Sequence, residues 1–136
     1  MSSNTATVRA IYAAFGQGNI PAILSKLTDD VLWEAWQHPS PAQAVIPYLA
    51  PRKGKAEVGS YFAVMAGLEF HGFQPLNLLE GGNQVAAVIN VDATVRATGR
   101  RFQDVEVHLW TFDAAGKIIE MRHVLDTGKQ AAAHQR

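Results

Sequence analysis

The chain contains no cysteine. That excludes disulfides, thiolate nucleophiles and thiolate-bound metal, and it suits a reducing compartment. It also has no charge excess: 12 Lys and Arg balance 12 Asp and Glu. A neutral chain lacks the electrostatic footprint of a nucleic-acid or anionic-membrane binder. Charged residues make up only 18%. No apolar run comes near the roughly 20 residues that a membrane span needs. The start, "MSSNTATVRA", has neither the basic segment nor the apolar segment of a secretory signal. These absences point to a soluble, cytoplasmic protein. What is present is a hydrophobic content of 48% over 136 residues. That amount builds a core, and the length suits one domain, 1–136.

Helical spacing comes first. Val8, Ile11, Tyr12 and Phe15 recur at i, i+3, i+4 and i+7, which is one face of a helix. Gly16 and Gly18 end it. Asn19 can cap a second, short helix with Pro21 in its first turn and Ile23, Leu24 and Leu27 inside. "VLWEAW" then reads as a first strand. The stretch 37–53 holds four of the six prolines. Proline removes a donor and fixes φ, so this stretch reads as a long loop, either a surface connection or a lid. Trp36, His38 and Tyr48, in or beside it, are candidates to close over a ligand. A third helix is expected over 56–66, with Val58, Tyr61, Phe62 and Met65 at helical spacing.

From there the period changes to two. Strands are expected near 69–80, 84–98, 102–113 and 117–126, separated by "EGGN", "ATGR" and "DAAGK". Four strands on short turns make an antiparallel meander. Helices before strands indicate α+β, a curved sheet wrapped around three helices and enclosing a pocket. The tail "KQAAAHQR" reads as frayed, and His134 with it. His71 reads as an ordinary satisfied or exposed histidine.

The strand "VEVHLWTF" stands out. Val105, Val107 and Leu109 share one face. Glu106, His108, Trp110 and Phe112 share the other, so an acid and an imidazole lie beside large rings. If Phe112 pairs near Lys117 across "DAAGK", His108 faces Met121 and His123 faces Glu106. The two imidazoles are then diagonal neighbours. Glu106 could orient His123 and raise its pKa by attraction, giving an acid/base pair near neutral pH. The alternative for each is a buried polar residue satisfied by its neighbour. Inward parity on the last strand gives Ile119, Met121, His123 and Leu125. Trp33, Trp110, Phe112, Tyr12, Phe15, Tyr61 and Phe62 supply rings for a flat apolar ligand, or simply for the core. No HxH or HExxH spacing favours a metal.

The stretches "IYAAFGQGNIPAILSKLTDDVLWE" and "GRRFQDVEVHLWTFDAAGKIIEMRHVLDT" resemble the SnoaL-like, or ketosteroid-isomerase-like, proteins of the cone-shaped nuclear transport factor 2-like superfamily. The resemblance covers nearly the whole chain. It implies a cone-shaped α+β fold, a homodimer through the outer sheet face, and work without cofactor or metal. Within it, the isomerase's general-base aspartate falls at Ala35, its oxyanion-binding tyrosine at Ile11, and its protonated aspartic acid at His108. Tyr12 lies one step away on a different side of the helix. The isomerase's own residues are therefore missing. The family's polyketide cyclases place a histidine on the penultimate strand, where His108 stands, and an acid on the last, where His123 stands.

The expected activity is acid/base chemistry on a small hydrophobic carbonyl compound: isomerisation, cyclisation or dehydration. His108, His123 and Glu106 would be catalytic, one histidine removing a proton and the other, or a tyrosine, donating to the enolate oxygen. Substrate would be held by Trp33, Trp110, Phe112, Tyr12, Phe15, Tyr61, Phe62, Met121 and Leu125. A non-catalytic ligand-binding or association module is the rival. Epoxide hydrolysis is a third reading, for which Asp92, Arg96, Arg122 and Asp126 are available.

Overall fold

The computed structural model describes residues 3–35 and 41–136. Trp36 and His38 lie outside the described residues. The elements run α1 (Ser3–Gly16), α2 (Ile20–Leu24), β1 (Leu27–Ala35), two 3₁₀ turns (Pro41–Ala44 and Pro47–Leu49), β2 (Arg52–Lys53), α3 (Gly54–Met65), β3 (Leu68–Gly81), β4 (Gln84–Val95), β5 (Arg101–Phe112), β6 (Ile118–Val124) and α4 (Thr127–His134). The strands form one curved, six-stranded sheet in the order β2-β1-β6-β5-β4-β3. The expected meander is β3 to β6. β1 joins it parallel to β6, with Trp33 beside Met121 and Ala35 beside His123. No described helix is long and apolar enough to cross a membrane.

Local chemistry explains the start and turn points. Asn19 Oδ1 accepts from Ala22 N at 3.3 Å, capping α2 as expected, with Pro21 in the first turn. In the β5–β6 turn, Asp113 Oδ1 accepts from the backbone N–H of Ala115 and of Lys117, each at 2.9 Å. Gly116 takes φ +83° there, a conformation that other residues pay for.

The alternation of β4 and β5 divides the sheet into two faces. Val85, Ala87, Ile89, Val91, Phe102, Trp110 and Phe112 are buried on the concave face. Val105 is 54% exposed on the convex face, where Val88, Val107 and Val124 stand side by side in register. The dry face of "VEVHLWTF" is therefore the outer one.

Four expectations change. Leu27 is buried but opens β1 rather than closing α2, and "TDD" belongs to that strand, whose pairing with β6 is irregular between Leu27 and Leu32. The proline-rich stretch is more than a surface connection: Ile46, Tyr48 and Leu49 are at most 3% exposed and join the core. The β5–β6 pairing shifts register between Thr111 and Phe112, because β6 carries one extra residue there. Ile118 is buried and Ile119 is turned outward, 37% exposed, against the parity expected for it. Lastly, the tail is no frayed end. Asp126 caps α4 through Lys129 N at 2.9 Å, and Gln130 and Ala133 are buried.

Candidate functional site

The concave face and the helices across it enclose an aromatic pocket. Tyr12 and Phe15 come from α1, Trp33 from β1, Tyr48 from the second 3₁₀ turn, and Tyr61 and Phe62 from α3. Glu106, His108 and Trp110 come from β5 and Met121 from β6. Phe70 and Phe73 of β3 close one side. The rings meet mostly edge to face, as Trp33 and Trp110 do at 5.5 Å between centroids and 79°. They leave a space of only about 40 Å³. Phe15, Phe62, Phe70 and Phe73 are half-buried, so the rings at the rim are the ones that must move to admit a ligand.

Three residues expected at the pocket are not among those that line it. Phe112 is buried in the core at the far end of β5, 1% exposed. Leu125 is half-buried just beyond β6 and packs against the core instead. His123 is 2% exposed, and its ring centroid lies 6.3 Å from that of His108 and 6.2 Å from that of Tyr61. The register change in β6 makes His123 the direct partner of His108, not of Glu106, and sets Met121 against Trp110. Glu106, expected to orient His123, meets His108 instead in the described contacts. Among the described residues, His123 Nε2 finds no hydrogen-bond partner. Burial, and secondarily the neighbouring His108, pushes the His123 pKa down to about 4, opposite to the rise expected from Glu106.

The polar groups form one chain. Trp110 Nε1 donates to Tyr12 Oη at 3.1 Å. Tyr12 Oη lies 2.8 Å from His108 Nδ1. An indole nitrogen can only donate, so the tyrosine oxygen accepts there and its own proton is free for His108. In the neutral imidazole Nδ1 then accepts and Nε2 carries the proton. That Nε2 faces Glu106 Oε1 at 3.4 Å, an ion-pair distance. Tyr12 is thus turned towards the site, although the helix position matched by the resemblance was Ile11; both residues line the pocket.

Sequence reasoning missed the far end of this chain. Gln130 Nε2 donates to Glu106 Oε2 at 2.7 Å and to Asp104 Oδ2 at 2.8 Å. Tyr48 Oη donates to Gln130 Oε1, and Asp126 N donates to Asp104 Oδ2 at 2.9 Å. The available signal was "LDTGKQAAAH", an aspartate cap before good helix formers. Burial by itself pushes the Glu106 carboxyl up. The hydrogen bond and charge of His108, with Gln130 and His123, outweigh it and hold Glu106 below its ordinary range. Burial, reinforced by the nearby Glu106 charge, pushes the Tyr12, Tyr48 and Tyr61 hydroxyls up, so they stay protonated donors.

The arginine–carboxylate set needed for epoxide hydrolysis does not assemble. Asp92 is held by Arg101 at 2.8 and 2.7 Å on the outer face. Arg96 reaches Ala66 O and Glu69, Arg122 reaches Glu34 and Glu120, and Asp126 caps α4. No arginine is among the residues lining the pocket.

A curved sheet folded over helices, with a chain of polar contacts inside an aromatic pocket, has the cone-shaped α+β fold of the nuclear transport factor 2-like type. The chain belongs to the SnoaL-like domain family, whose profile matches residues 8–121. Solved structures share the fold at low identity. A nuclear transport factor 2-like protein of unknown function from Burkholderia pseudomallei K96243 is 23% identical over 100% of both chains, with a TM-score of 0.86. TerC, co-crystallised with polyporic acid, is 23% identical over 99% of this chain and 100% of that one, with a TM-score of 0.81. A candidate polyketide cyclase from Pseudomonas putida KT2440 is 19% identical over 98% of each chain, with a TM-score of 0.78. No curated protein is detectably similar in sequence.

Proposed function

We propose that this protein is a small-molecule enzyme working without a cofactor, by acid/base chemistry at a carbon next to a carbonyl. The observation that carries the reading is the ordered chain Trp110, Tyr12, His108, Glu106 at the floor of an apolar pocket. A substrate carbonyl oxygen would take the Tyr12 proton's attention from His108. His108 Nδ1, freed, would remove the proton from the α-carbon. The C–H electron pair would move into the carbonyl, giving an enolate whose oxygen is held by the Tyr12 hydroxyl. Glu106 would stabilise the imidazolium through Nε2–H. The enolate could then be reprotonated elsewhere (isomerisation), attack a second carbonyl (cyclisation), or expel a β-hydroxyl (dehydration). A dry pocket favours each of these, because charge interactions strengthen there. The co-crystal of TerC with polyporic acid supports the view that this fold can accept a small organic ligand.

The test needs no prior substrate. The protein is incubated in D₂O with a panel of hydrophobic ketones, and deuterium uptake next to the carbonyl is followed by NMR. His108→Ala should lower uptake by at least about 10²-fold, the usual scale for a lost acid/base group, with the circular dichroism unchanged. Undiminished uptake in that variant would overturn the assignment.

The small open volume gives one specific reason to keep the rival, a ligand-binding or association module. There, ligand affinity would survive loss of His108 and His123 and fall on truncation of Trp33 or Trp110. In either case the aliphatic stripe of the outer sheet face, with Val105, Val124 and Leu79 exposed around Val107, is proposed to pair with a second copy of the chain.

A further inference from the structure

Gln130 comes from the last element of the chain, yet it is fully buried at the acid end of the site. Its carboxamide makes three hydrogen bonds. Oε1 accepts from Tyr48, and the two Nε2 protons go one each to Asp104 and Glu106. The orientation of the amide is therefore determined. A flipped group would set its oxygen against two carboxylates and its nitrogen against a hydroxyl donor. Asp104 and Glu106 are two residues apart on the buried face of β5, where like charges repel. One neutral carboxamide separates them and bonds to both. It holds Glu106 by Oε2, which leaves Oε1 to face His108 Nε2.

We infer that Gln130 is a positioning residue: by clamping Glu106 from behind, it fixes His108 as the tautomer protonated on Nε2 and so leaves Nδ1 as the base. This rests on the acid/base reading of His108 given above. The other groups facing Glu106 are His108 and Asp104 on its own strand, His123 on β6, Tyr12 on α1, Tyr48 on the second 3₁₀ turn and Tyr61 on α3. None of these donates to Oε2 in the described contacts; Gln130 does, and it ties α4 to the site.

Gln130→Met keeps the length and the apolar packing but removes both donors. In the full chain, the Glu106 carboxyl is titrated by ¹³C NMR and the His108 tautomer is read from ¹⁵N shifts. The Glu106 midpoint should rise by about one pH unit or more, and the Nε2–H tautomer of His108 should lose population at neutral pH. In a Glu106→Gln background, Gln130→Met should leave the His108 tautomer where that background has it. If Gln130→Met lowers only the melting temperature, with midpoint and tautomer unmoved, Gln130 is a packing anchor and the inference fails. Should that variant not fold, Tyr48→Phe, which frees the amide to turn, should move both readouts in the same direction; an unmoved tautomer there overturns the inference equally. None of these readouts uses turnover. A failure of His108→Ala in the deuterium assay would thus remove the enzymatic reading without deciding the role of Gln130.

Discussion

At the scale of single residues, His123 carries the clearest pH signature. Its ordinary pKa of 6.5 falls to about 4 in the fold. Between those values the unfolded chain binds a proton that the folded chain refuses. Stability should therefore fall as pH drops through that window and level off below it, by about 3 kcal/mol in all at about 1.4 kcal/mol per pH unit. Glu106 adds in the same direction at lower pH, since its depressed folded value makes its contribution vanish as it protonates. Thermal melting between pH 7 and pH 4 checks this. His123→Leu should flatten the upper part of the profile; an equally steep fall in that variant would assign the loss to other groups. The residue types of the site were legible in the sequence, but the partners were not. Glu106 and His108 share a face by parity alone. That Tyr12 reaches His108 depends on how α1 crosses the sheet, which no periodicity reports.

At the scale of elements, α4 and the β6 bulge account for most of what was misread. Eight residues with a weak apolar pattern do not stand as a helix alone. α4 is stable because Asp126 caps it, because Gln130 and Ala133 are buried, and because Gln130 bonds to Asp104 and Glu106 of β5. Asp126→Ala should cost about 1 kcal/mol in urea denaturation. It should also speed amide exchange across 127–134 more than elsewhere; uniform exchange would show that the cap matters little. The β6 bulge is invisible for a different reason. The turn "DAAGK" sets where the hairpin begins, but one extra residue at Ile119 changes every pairing beyond it. That insertion, together with a turn that pairs Phe112 with Ile118 rather than Lys117, makes His108 and His123 direct neighbours.

At the scale of the whole molecule, the sheet has two covered faces only if something packs on its convex side. Val88, Val107 and Val124 lie in one row across β4, β5 and β6, with Val105 and Leu79 exposed beside them. If the proposed pairing holds, the unaltered chain should sediment as a dimer and Val107→Glu as a folded monomer in sedimentation velocity. A monomeric unaltered chain would refute the pairing.

Legible in the sequence were the α+β order and the two faces of β5, one aliphatic and one carrying Glu106, His108 and Trp110. Those follow from local periodicity, which acts within a few residues of chain. Which polar atoms meet was settled by long-range packing. The Tyr12–His108 contact and the Gln130 bridge join residues 96 and 24 positions apart. Such contacts depend on helix placement and strand register, and both are set by the packing of the whole core rather than by any single stretch of it.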